Sequence, residues 1–172
     1  LYRNLGKEAS YSYHQSILFN LGTDISQVEG SSTDQFRIVP TNAYPTTQAE
    51  ILETWAQLYN TIYNANDFIE RMTEKVKAYE TDSDKNLGKV MIAEARAIRA
   101  MCYFDLVRLW ENIPLVTATS ESYKQPDEFT QVEPARIYEY IESDLKNAAT
   151  VLPYAKQDSC RIDNSYRFSK GA

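Results

Sequence analysis

From Ala97 to Trp110 the chain is apolar on most of its helical circumference, interrupted only by Arg99, Asp105 and Arg108. A helix apolar nearly all round must be packed on several sides. Ala, Met, Leu and Arg dominate the stretch, all good helix formers, and no Pro or Gly occurs before Pro114. That proline, two residues after Asn112, ends the helix, because it lacks an N–H and crowds the preceding turn. Glu94–Trp110 therefore predicts the central helix of an all-α array, with neighbouring helices leaning on it.

The flanking sequence supplies those neighbours. Ile51, Trp55, Leu58, Ile62, Ala65, Ile69, Met72 and Val76 alternate steps of four and three, the signature of a long packing helix over 49–78. Leu52, Tyr59 and Phe68 widen its stripe. The acidic turn that follows offers Asp82, Ser83 or Asp84 as cap for a helix over 84–111, so the two form an antiparallel hairpin. Pro134 suits the first position of a further helix, whose apolar face is Ile137, Tyr138, Ile141, Leu145, Ala148, Ala149 and Leu152 before Pro153 stops it at 152. At the amino end Tyr2, Leu5, Ala9, Tyr13 and Ile17 predict an amphipathic helix over 1–21, closed by Gly22. Residues from 167 read as the opening of another helix, so residues 1–172 are expected to be a single, incomplete helical domain.

Two stretches break the helical pattern. Residues 23–47 are rich in turn chemistry, with only Phe36–Val39 briefly extended, and residues 117–132 form a polar loop after an extended Leu115–Val116. Long loops inside a helical domain are often functional. The first carries Asp24, Gln35, Phe36, Asn42 and Tyr44, and the second Tyr123 and Phe129. Rings that can lie against the C–H face of a sugar, beside groups that hydrogen-bond hydroxyls, suit glycan recognition. Trp55 and Trp110 fall in the packing stripes and are expected in the core.

Composition excludes several classes of function. Net charge is −6 with no basic cluster, which argues against a nucleic-acid partner. No run of about 18 apolar residues could span a membrane as a helix. His14, the single histidine, is expected at a surface or boundary position. Cys102 and Cys160 lie in unrelated contexts, which makes no metal site; whether they pair stays open. No cofactor motif is present. Glu53, Glu70 and Glu94 sit on helices with nothing nearby in sequence to raise one carboxyl pKa, so a glycosidase pair is not expected. Arg99, Asp105 and Arg108 are instead expected to form a structural ionic network, since a buried charge needs a partner.

Trp55-x-x-Leu-Tyr-x-x-Ile62 and Ala100-x-x-x-Phe104-x-x-Val107 parallel the two helices of a tetratricopeptide unit, although their separation exceeds the roughly 34-residue period. Further residues carry a more specific likeness. Trp55-x-x-Leu-Tyr-x-x-Ile-Tyr-x-Ala-Asn66-x-Phe-Ile-Glu-Arg71 resembles the first signature of the SusD/RagB proteins. Glu94–Trp110 with Ile113-Pro-Leu-Val116 is similar to the second. Ile137–Ala148 followed by Arg167-Phe-Ser-Lys-Gly-Ala172 matches the third, and Asp24 fits its place after the first helix. The likeness covers essentially this whole chain and about the amino-terminal third of a typical member. Glu111-Asn112 departs from the Gly-acidic pair common there, and neither the family's lipid-bearing cysteine nor its carboxy-terminal region falls within these residues.

The resemblance implies a SusD-type helical fold and a non-catalytic lipoprotein at the outer-membrane surface of Bacteroidota, facing the exterior. It implies a SusC-like TonB-dependent transporter as partner and an oligosaccharide or peptide nutrient as ligand, with membrane contact only through a lipid anchor. No family ligand residue transfers position by position; the loop residues above are candidates by type. The competing readings are a tetratricopeptide-like protein–protein adaptor without glycan binding and a helical glycan-active enzyme.

Overall fold

The computed structural model describes residues 1–21, 23, 48–119, 129–154 and 167–169. As expected, the fold is all-α with very little strand. In order, the elements are α1 (Tyr2–Leu5), a π-helical turn (Glu8–Ser12), α2 (His14–Leu21), α3 (Ala49–Lys77), α4 (Asp82–Trp110), β1 (Ile113–Pro114), β2 (Gln131–Val132) and α5 (Pro134–Val151). The chain divides into two compact units, Tyr2–Asn60 and Thr61–Ala172 with Leu1.

In the amino-terminal unit the single helix expected over 1–21 is broken at three points. Lys7 is extended (φ −74°, ψ 155°), and Ser10 (φ −129°, ψ −136°) and Tyr13 (φ −144°, ψ −69°) leave helical geometry. Periodicity is present, but Gly6 costs about 1 kcal/mol in a helix relative to Ala, and Ser10, Tyr11, Ser12, Tyr13 and His14 are a run of mediocre helix formers. Gln57 ties the first break down, donating to the Asn4 carbonyl at 3.4 Å and accepting from Lys7 Nζ at 3.4 Å. His14, expected near the surface, is buried, with Nδ1 3.5 Å from a Glu53 carboxylate oxygen. Trp55 is half-buried and tilted against Tyr59 at 4.9 Å, and burial pushes the Tyr59 hydroxyl pKa well up.

The second unit is built on α4. Ala93–Ala95, Ala97–Ala100, Cys102–Tyr103 and Asp105–Val107 are all buried, so this segment is enclosed as its composition requires. The last part of α3 runs antiparallel to it: Asn66 meets Arg99, and Val76 lies against Gly88. On its other side α5 is also antiparallel, with Tyr103 opposite Tyr140, Phe104 opposite Tyr138, and Ala93 and Ala97 packed on Ala148 and Leu152. Small residues at that last contact let the two backbones approach closely.

Thr81, rather than the acidic residues after it, caps α4. Its hydroxyl oxygen accepts the Asp84 N–H at 3.1 Å and donates to Asp84 Oδ2 at 2.7 Å. Helix therefore starts at Asp82, and the early acids sit in the first turn, where the helix dipole favours them. At the other end Glu111 closes α4 with φ 60°, donating to the Val107 carbonyl. Glycine takes such a backbone without strain; a side chain does not. β1 follows at once and pairs antiparallel with β2, Ile113 opposite Val132. Two residues of ladder stand where the extended stretch was expected slightly later, at Leu115–Val116.

Gly88 allows the α3–α4 approach. A Cβ built on it would run into Val76 Cγ2 and lie 3.4 Å from Tyr79 Cε2. In an exposed helix Gly→Ala would gain about 1 kcal/mol. Here that gain is opposed by overpacking, which costs about 1–3 kcal/mol, and valine's branched side chain cannot swing clear. Gly88→Ala is expected to lower the denaturation midpoint, and Val76→Ala in the same protein to restore part of it. A midpoint that rises in Gly88→Ala alone would contradict this packing.

Candidate functional site

Buried polar groups converge where α3, α4, α5 and the Ile113–Thr119 connection meet. Arg99 is the hub. Its Nε and Nη2 donate to the two Asp144 carboxylate oxygens at 2.8 and 2.9 Å, and its Nη1 donates to Asn66 Oδ1 at 2.6 Å. The guanidinium carbon stands 5.1 Å from the centre of the Tyr140 ring. Burial opposes the charge on Arg99, but the Asp144 carboxylate outweighs it and holds the pKa above the ordinary arginine value. A bidentate fork of this kind is the strong form of the Arg–carboxylate pair.

From this hub the network reaches the connection after α4. Asn66 Nδ2 donates to the Val116 carbonyl at 3.1 Å. The Tyr103 hydroxyl donates to that same carbonyl at 2.7 Å and accepts the Val116 N–H at 2.8 Å. Three residues on, the Thr119 N–H donates to Glu70 Oε1 at 2.8 Å. On the far side of residues 120–128, Gln131–Val132 is held by its ladder to β1. Both flanks of that segment are thus anchored, one by side chains of α3 and α4 and one by a strand pair.

The residues singled out by sequence fall in three places. Arg99 is in the hub, joined to Asp144 and Asn66. Asp105 and Arg108 are elsewhere on α4: Asp105 is buried, and Arg108 Nη1 lies 3.8 Å from its Oδ1, with the guanidinium also over the Phe104 ring at 5.0 Å. Six residues separate Arg99 from Asp105, which points them to different sides of one helix. Asp24, Gln35, Phe36, Asn42, Tyr44 and Tyr123 lie outside the described residues, as does Cys160. Phe129 is described and half-buried at the edge of β2, and Trp110 is half-buried at the end of α4.

Asp144 is the residue that sequence reasoning missed. Ile137, Ile141, Asp144 and Ala148 are the buried face of α5, whereas Leu145, expected there, is exposed. An aspartate in an apolar stripe, with arginines on the neighbouring helix, was the available signal.

The three helical glutamates weighed from the sequence, Glu53, Glu70 and Glu94, have partners, and the thiol of Cys102 is enclosed. Glu94 is buried and paired with Arg167 at 2.5 Å, Glu70 holds Thr119, and Glu53 faces His14. Cys102 is a free, buried thiol whose pKa is pushed well up by burial and by the Asp105 charge. It is therefore a poor nucleophile. Among the described residues no three His, Cys, Asp or Glu side chains gather as a metal site would need, and no helix is long and apolar enough to cross a membrane.

Helical hairpins stacked on a central α4 match the fold of solved SusD-like proteins. The chain belongs to that family: its model, described as starch-binding associating with outer membrane, matches residues 2–172. A crystal structure of a SusD homologue from Bacteroides thetaiotaomicron is 55% identical and superposes with a TM-score of 0.92, covering 99% of this chain and 32% of that one. A laminarin-binding SusD-like protein is 27% identical with a TM-score of 0.75, over 99% of this chain and 35% of its own. A SusD-like protein of Formosa agariphila is 27% identical over 142 residues, 83% of this chain and 25% of that protein. The chain thus spans about a quarter to a third of the length of these relatives.

Proposed function

We propose that this chain is the helical scaffold of a non-catalytic nutrient-binding subunit, which captures oligosaccharide at the outer surface of the outer membrane and works with a SusC-like TonB-dependent transporter. The observation that carries this reading is the 55% identity to a SusD homologue along 99% of the chain. The laminarin-binding relative supports oligosaccharide as the ligand class. Contact with the membrane is through a lipid anchor, with the protein facing the exterior. Residues 1–172 are one part of a larger SusD-like domain.

In this reading the packed helices bear load and the loops bear ligand. Tyr44, Phe36 and Tyr123 present rings to pyranose C–H faces, while Asp24, Gln35 and Asn42 bond hydroxyls. Arg99, Asp105 and Arg108 are structural. The anchoring of both flanks of residues 120–128 supports this division, because a binding side chain is only as well placed as the backbone beneath it.

Glycan-array binding, followed by calorimetry, with the protein encoded by the complete reading frame tests the proposal. Tyr44→Ala is expected to weaken capture of the selected glycan about tenfold, the loss of one stacked ring, with the melting temperature unchanged. Equal affinity in that variant would overturn the loop assignment. A folded protein that binds no glycan but retains a protein partner would favour the adaptor reading.

A further inference from the structure

Beside the hub, between α4 and α5, lies a recess of about 220 Å³. α4 contributes Lys89, Ile92 and Arg96, at spacings of three and four that put them on one face, and α5 contributes Asn147, Thr150 and Val151. Its charge is out of balance. Both Asp144 oxygens are engaged by Arg99 at 2.8 and 2.9 Å, which leaves Arg96 Nη1 3.6 Å from Oδ1, beyond hydrogen-bond length. Arg96 is thus only partly compensated and remains one-third exposed. Lys89 is exposed and forms no ion pair among the described residues. Glu142, the acid one helical turn from Lys146 on α5, is taken up by that lysine at 2.7 Å. In a chain of net charge −6, this recess presents two cations and, among the described residues, no carboxylate in its wall.

The rest of the lining narrows the ligand. Thr150 donates its hydroxyl proton to the Asn147 carbonyl at 2.7 Å, so its lone pairs stay available as acceptors. The Asn147 side chain adds an amide with donors and an acceptor. Ile92 and Val151 give an apolar wall. Two cations and Ile92 from α4, across from the hydroxyl partners and Val151 of α5, complement a ring that carries a carboxylate, hydroxyls and a C–H face. The volume, below the ~300–1,000 Å³ of sites for drug-sized ligands, admits one ring.

We propose that the Lys89–Arg96–Asn147–Thr150 recess binds a hexuronate, a carboxylated pyranose at the end or in a branch of an acidic glycan. Arg96 holds the carboxylate, Lys89, two helical turns away along α4, adds attraction from further off, Asn147 and Thr150 take ring hydroxyls, and Ile92 with Val151 face the C–H side. This deepens the proposed function and rests on it only in taking the carboxylate to arrive on a sugar.

Calorimetry with the complete protein, using glucuronate, galacturonate, glucose, acetate and an acidic dipeptide, tests it. At least one uronate is expected to bind about tenfold more tightly than glucose or acetate, and more weakly as salt rises. Arg96→Gln is expected to weaken uronate binding about tenfold, and Lys89→Gln, at an exposed position further along α4, by a smaller factor that shrinks as salt rises, both while leaving neutral-glycan capture intact. Uronate affinity that is unchanged in both variants, equal affinity for glucose, or binding of the dipeptide in place of the uronate would overturn the proposal. If neutral glycan is captured and uronate is not, the recess assignment fails and the proposed function stands. Uronate binding without neutral-glycan capture keeps the recess and removes the loop-borne neutral site, and a folded protein that binds no sugar at all sinks both.

Discussion

Asp144→Ala is expected to destabilise the protein by about 3–5 kcal/mol, because it strands a charged guanidinium in the helix interface. Arg99 cannot shed its proton to escape; at any working pH arginine stays charged. Its side chain is 7% exposed and that of Asp144 4%, so solvent cannot replace the lost carboxylate. Asn66 Oδ1 retains one donor and the Tyr140 face some attraction, but neither neutralises a charge. For a chain of this size the loss corresponds to a fall in melting temperature on the order of 10 °C. Replacing both partners, as Arg99→Met with Asp144→Leu, is expected to recover much of it, since a buried pair often has little net value over a well-packed apolar one. Recovery stays incomplete because Asn66 Oδ1 then loses its donor. Urea denaturation of Arg99→Met, Asp144→Leu and the double variant measures this as a cycle. A double variant no more stable than Asp144→Ala would show that the pair does not act as a unit.

That hub also marks how far the sequence could be read. The enclosed α4 was legible because an apolar surface on all sides admits few alternatives, and the spans of α3 and α5 followed from long unbroken periodicity and from Pro134 and Pro153. Propensity outweighed periodicity in residues 1–21, where the stripe continues through Gly6 and the Ser/Tyr run although the helix does not. Hydrophobicity alone cannot choose between neighbours such as Asp144 and Leu145. Either could follow Ile141 on one face, and what turned Asp144 inward was Arg99, a residue 45 positions away. Equally, Thr81 could not be distinguished from Asp82, Ser83 or Asp84 until the reciprocal bonds with Asp84 were visible. Local signals locate the elements; pairings between elements decide which polar groups go inside. Chemical type alone marks the candidate glycan residues in the two loops, of which Thr23, residues 117–119 and residues 129–132 lie among the described residues.

Tyr103→Phe should remove about 2–3 kcal/mol of stability while keeping the ring in place. Its hydroxyl serves Val116 twice, bonding the backbone carbonyl at 2.7 Å and the backbone N–H at 2.8 Å. With both made, one side chain does for that residue what a neighbouring strand would do. Phenylalanine keeps the edge-on contact with Tyr140 at 5.7 Å, so the cost is the hydrogen bonds rather than a cavity. The two backbone groups are affected unequally: the carbonyl keeps Asn66 Nδ2 at 3.1 Å, whereas the N–H is left buried without an acceptor. The second substitution, Asn66→Ala, strips the carbonyl as well and uncovers an Arg99 donor, so the double variant should lose more than the sum of the single ones. Amide hydrogen exchange separates this from a diffuse loss of packing. Val116 and Thr119 should exchange faster in Tyr103→Phe by more than the change in global stability explains, while Ile98 and Leu106 in α4 follow the global change. Uniform acceleration across α4 and the connection would show that Tyr103 supports the core as a whole rather than clamping the root of the segment that bears Tyr123.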